Sequence, residues 1–283
     1  MKRAVIPFTR HDARHGLVWL KSAYAMFRQA PLAWLALLFT YYVLVAFAGL
    51  GPWASVGQIV AGLLKPVFAV GFLAAAWTQE RGGRPKLEHL FRGFRSNLYA
   101  LIALGIVFLC GMTLAVLSTI LVDGGTIIAV FSGAEKPTEE MLAGGKPQLA
   151  LLLGALCALP TLLAIWFAPA LIVFHDASAA AALATSLAAA VANWRPVMVY
   201  GIAVFALGGV LPGLALSIAQ LFGEAFASLL AVFLIVPYLF AFIATLHISD
   251  YVSFRDVFHA GEPNNAMKEG GASSERGLPP PAA

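Results

Sequence analysis

"HDASAAAALATSLAAAVANWRP", residues 175–196, decides whether this chain crosses a membrane six times or seven. Between Asp176 and Arg195 lie 18 residues without a charge, most of them alanine. As a helix they extend about 27 Å, close to the hydrocarbon thickness of a bilayer. The choice between a span, a surface helix and a packed helix therefore rests on the rest of the chain.

The rest of the chain is built for lipid. Hydrophobic residues make up 60% of its 283 positions, charged residues 11%, and the mean hydropathy is +0.84. A soluble domain carries roughly 25% charged residues. Apolar runs, uncharged but for Lys65, fall at about 32–50, 57–77, 98–122, 148–174, 197–221 and 226–247, too long and uniform for barrel strands. Residues 261–283 are polar and rich in Gly and Pro, as in a disordered tail. Cys110 and Cys157 sit inside apolar runs and read as small buried side chains. The basic residues flank apolar runs rather than forming a nucleic-acid patch, so no nucleic-acid partner is expected.

Charge orients the runs. Fifteen of the 18 basic residues lie before the first run, between the second and third, before the fifth, or after the sixth. The other connections hold Lys136 and Lys146, close to Asp123, Glu135, Glu139 and Glu140. The positive-inside rule then predicts six crossings with both termini cytoplasmic, facing anionic headgroups.

A repeat supports six rather than seven. "HDARHGLVWLKSAYAMFRQAP" at 11–31 shares with 175–196 the opening His-Asp-Ala, a serine eleven residues after the His, and a closing proline. "LEHLFRGFRSNLYALIAL" at 87–104 holds the corresponding place before the third run. The expected fold is all-α: six transmembrane helices in three hairpins, each preceded by a cytoplasmic interfacial or packed helix. The first such helix is amphipathic, with Leu17, Leu20, Tyr24 and Phe27 opposite Arg14, Lys21 and Arg28. In the third, alanine replaces the charged face, and it reads as drawn into the bundle. Prolines at 66, 160, 169 and 237 are expected to kink or unwind the returning spans.

Pro169, Ser178, the Ala182-Leu183 pair, Ser186 and Asn193-Trp194 form a pattern that resembles a group of uncharacterised bacterial six-span membrane proteins. That group is related to the membrane domain of some glycerophosphodiester phosphodiesterases. The resemblance implies a bacterial inner-membrane protein and brings no catalytic residue with it.

Few residues offer chemistry. Lys65 is the only charge within a predicted span. It is either an intramembrane site, with Glu224, Asp123 or Gln58 as partners, or a lysine that snorkels outward from a late-starting span. His11, Asp12 and His15, with His175, Asp176, His247 and Asp250, would assemble a metal or proton site if the three repeats converged. The simpler reading makes Asp12 and Asp176 helix N-caps beside headgroup histidines, with no metal and no cofactor. Asn193, Trp194 and Arg195 read as a membrane-entering anchor that contacts lipid. No hydrolase, nucleotide or zinc-protease pattern is present, so the chain is expected to be non-enzymatic. It would act through lipid or partner contacts, for example in envelope maintenance. The alternative is a permease for an uncharged or amphipathic molecule.

Overall fold

Uncharged runs of this length can satisfy their backbone polar groups in lipid only by bonding internally as helices. Helices are what they form in the computed structural model, which describes residues 6–136, 138 and 144–259. α1 (His15–Gln29) leads into the hairpin of α2 (Pro31–Ala48) and α3 (Ala54–Glu80). A 3-10 segment (Leu87–Arg95) leads into α4 (Leu98–Ser118), continued by short α5 (Ile120–Asp123) and α6 (Thr126–Phe131). The chain returns through α7 (Lys146–Trp166) and its bent continuation α8 (Ala168–His175). α9 (Ala179–Ala192) leads into α10 (Trp194–Phe205) and α11 (Leu211–Gln220), followed by α12 (Glu224–Leu230) and α13 (Val236–His259). Among the described residues there are no strands, and six helical stretches are long and apolar enough to cross a membrane.

The alanine-rich stretch is not one of the six. It folds as the 14-residue α9, packed against α7 and α8. Its buried face is Ala182, Thr185, Ser186, Ala189 and Ala190, while Val191 lies exposed. Small residues let helix backbones approach, and this is the main route to helix association where lipid is as apolar as leucine. Ser186 also explains the bend beside it. In an unbroken helix the Phe167 N–H would donate to the Leu163 carbonyl. Here the Ser186 hydroxyl stands between them, accepting from Phe167 N at 3.0 Å and donating to Leu163 O at 2.8 Å. Pro169, at the start of α8, removes a further bond of the same ladder. Asp176 is not the N-cap of α9: it closes α8 with a left-handed backbone (φ 51°), and Ser178 caps α9.

The other prolines differ in effect. α3 and α7 run on through Pro66 and Pro160. In the last hairpin, π-helical turns at Ala206–Val210 and Ala231–Ile235 end two residues before Pro212 and Pro237. A proline ring collides with the carbonyl four residues back, and the widened turn absorbs that clash. The Leu207 carbonyl, within the first of these turns, accepts from the Tyr238 hydroxyl at 2.8 Å.

The sixth apolar helix does not end at 247. It continues to His259, because Ile248, Tyr251, Val252, Phe254 and Val257 extend its apolar face into the core. α1 packs against this extension and α10. Its buried face is Trp19, Leu20, Ala23 and Phe27, rotated from the stripe expected, so Leu17 and Tyr24 are exposed. The 3-10 segment lies on α3 so closely that a Cβ on Gly93 would meet the Val67 carbonyl oxygen at 2.0 Å. With three residues per turn, Leu90 and Gly93 line one edge against α3. Pro137 and residues 139–143 of the connection, with Glu139 and Glu140, and the tail from Gly261 lie outside the described residues.

Candidate functional site

The end of the bundle that carries α1, the 3-10 segment and α9 is called proximal here. There the start of the chain is strapped to the end of the last helix. Thr9 N donates to the Val257 carbonyl at 2.7 Å. Asn193, fully buried, accepts from His11 N at 2.8 Å and donates to the carbonyls of Thr9 and Ala189 at 3.0 Å. It is an internal clamp, not a headgroup anchor, whereas its neighbours Trp194 and Arg195 are exposed. Asp12 accepts from Arg14 N just before α1.

The clamp sets two imidazoles one helical turn apart over one carboxylate. His15 Nδ1 lies 2.7 Å from Asp256 Oδ2, and Trp19 Nε1 donates to the same oxygen at 2.7 Å. His11 Nε2 lies 2.9 Å from the Asp256 carbonyl and 3.7 Å from Oδ2, and the two imidazole rings stack at 4.2 Å. The ligand-type atoms of His11, His15 and Asp256 all fall within 4.8 Å of one another.

The remaining candidates do not join this cluster. His175 stacks on His259 at 5.0 Å and meets Phe254 edge to face, beside Asp176 at the turn into α9. His247 stacks face to face on Phe72 at 4.0 Å. Phe72 is about two turns along α3 from Gln79. Gln79 itself accepts from Trp34 Nε1 and donates to the Met26 carbonyl, marking the level where α1 meets α2. His247 and Asp250 thus sit inside the bundle rather than at its rim.

Lys65 lies 14 residues, about 21 Å, to the distal side of Gln79. Its ammonium rests over the Phe108 ring at 4.3 Å and is within electrostatic reach of His247 and Asp250. Among the described residues it forms no ion pair. The outer partners considered for it are placed elsewhere: Asp123 caps α6, Gln58 lies against Gly49, and Glu224 is exposed at the start of α12. The side chains of His247 and Asp250 are 24% and 41% exposed, and their ring nitrogen and carboxylate lie 3.9 Å apart, while Lys65 is exposed. Towards the distal end, α4, α6 and α7 border an open apolar pocket of about 530 Å³ lined by Met112, Ala115, Ile127 and Gly154.

Sequence reasoning missed Asp256, Trp19 and the proximal group in which Glu80 pairs with Arg255 and accepts from the Tyr251 hydroxyl. The signal was present: the apolar period of α13 runs past 247 and carries Arg255 and Asp256 into the fold.

A probable inner membrane protein of Burkholderia thailandensis is 31% identical over 258 residues, which cover 89% of this chain and 94% of that protein. No family model and no solved structure matches the chain.

Proposed function

From the premise that the chain belongs to the family of that probable inner membrane protein, we propose that it is a lipid-binding, non-enzymatic membrane protein that holds a phosphate-bearing headgroup at Lys65. The observation that carries this reading is an ammonium within a membrane-spanning helix, exposed on the helix surface over the Phe108 ring and without an ion pair among the described residues. An intramembrane charge is expensive and marks a functional site by default. A phosphate oxygen supplies the missing counter-charge. His247 and Asp250, within electrostatic reach of Lys65, present acceptors to the remainder of the headgroup. The same reading places the proximal end in the cytoplasm, because the basic loops gather there. It also takes in the resemblance to membrane domains of glycerophosphodiester phosphodiesterases, which work beside phospholipid.

The test is to purify the wild type and Lys65→Met in nanodiscs of mixed phospholipid and quantify retained lipid by native mass spectrometry. The expected result is a several-fold loss of bound phospholipid in the variant. Equal retention by a folded variant overturns the reading. Reporters fused after Glu135, Ala180, Glu224 and Asn265 check the orientation, with external signals expected only at 135 and 224.

The π-helical turns before Pro212 and Pro237 favour a second reading as a permease, since broken helices around a cleft are how transporters build midplane sites. Uptake of an amphipathic substrate into proteoliposomes would support it over simple binding.

A further inference from the structure

We propose that His11, His15 and Asp256 form a binding site for a divalent transition-metal ion of the zinc or cobalt(II) class, which fastens the start of the chain to the end of the last helix. Two imidazoles and one carboxylate are a donor set that suits zinc, cobalt(II) or iron(II). They are too nitrogen-rich for magnesium or calcium and lack the thiolate preferred by copper(I).

The geometry is close to that of a ligated site. All three ligand atoms lie within 4.8 Å of one another, near the spread that a single small ion requires. His15 opens α1 and His11 lies in the arm four residues before it, with rings stacked at 4.2 Å and 30° to each other, so both face Asp256. The ring atoms involved are Nε2 of His11 and Nδ1 of His15.

The surroundings supply what bare ligands lack. Trp19 Nε1 donates to Asp256 Oδ2 and orients the carboxylate, the outer-shell hydrogen bond that metal sites ordinarily carry. Asn193 holds the backbone of His11, and the bond from Thr9 to Val257 holds the arm, so the ligands are placed before any ion arrives. His11 is 9% exposed and His15 33%, which leaves a path for the ion on the His15 side. Three protein ligands leave a fourth position for water. Ligands 241 residues apart make the ion a clasp between the two ends of the chain.

The experiment uses the full chain without a polyhistidine tag, stripped with EDTA in detergent and titrated with cobalt(II). Visible absorption and elemental analysis give the stoichiometry, zinc competes, and thermal unfolding is followed with and without zinc. The expected result is one cobalt per chain, displaced by zinc, and a melting temperature that zinc raises. His11→Gln and His15→Gln each weaken binding at least tenfold and abolish the zinc-dependent rise. Asp256→Asn, which still accepts from Trp19, does the same should a histidine variant fail to fold. His247→Gln leaves binding unchanged. Absence of stoichiometric uptake, or uptake that persists in the His11→Gln/His15→Gln double variant, overturns the proposal and leaves the cluster as a hydrogen-bonded latch.

Discussion

The two ends of the bundle are built on opposite terms. At the proximal end, helices share a large packed core: Trp19, Trp34, Phe72, Leu101, Phe167, Tyr251 and Phe254 are all buried, and backbones touch through glycine. At the distal end, α11 and α12 hold each other and little else, and Phe233 is 74% exposed. In water such a surface would drive aggregation. In a bilayer it carries no such penalty, because lipid tails solvate a side chain as well as another helix does. Polar bonds follow the same division. Ser186, Asn193, Gln79, Glu80 and Asp256 all make their contacts at the proximal end, where lead-in elements and spans meet.

Glycine substitutions break this contrast most sharply. Gly93→Leu must part the 3-10 segment from α3 against a backbone oxygen, and overpacking of this kind costs about 3 kcal/mol or more. We expect a large loss of thermal stability and yield. Gly213→Leu, with open space around its added Cβ, is expected to melt with the wild type. Equal damage from both would show that the distal end is as tightly packed as the proximal one.

Ser186→Ala comes next. It leaves the Phe167 N–H and the Leu163 carbonyl without their bridge inside a packed bend, a loss of about 1–2 kcal/mol. Urea or thermal unfolding in detergent measures it. A neutral result would mean that α7 and α8 close the bond for themselves.

The smallest expected effect is one of pH. Thr78 lies against Nε2 of buried His89, and Lys86 N donates to its Nδ1, so the ring is placed as the neutral tautomer. Burial lowers its pKa below the ordinary value of about 6.5. The unfolded chain therefore binds the proton more readily, and stability is lost as pH falls below about 6.5. Melting curves between pH 8 and 5 should show a shallower acid decline in His89→Gln than in the wild type.

Several features were legible before any coordinates. Six long apolar runs predicted six spanning helices, and the described residues hold six helices long and apolar enough to span. The lead-in segments were visible from the repeated His-Asp-Ala and proline. Site residues were less legible. His11 and His15 stood out by spacing, but their partner Asp256 lies 241 residues away from His15 and looked like a charge beyond the last span. Asn193 looked like an anchor because its neighbours are Trp and Arg. Nothing local says that its amide turns inward.

The sequence by itself therefore determined what lipid enforces: which segments are helical, how many can span, and where basic loops gather. Those outcomes depend on hydropathy and length, which are additive along a chain. Only the tertiary structure decided which faces meet. Within a membrane, burial does not select a partner for an apolar stripe, so contact falls to small residues, single hydroxyls and distant polar pairs. That is why the small-residue face of α9 lies deepest in the bundle, and why the two histidines at the start of the chain share the carboxylate near its last helical turn.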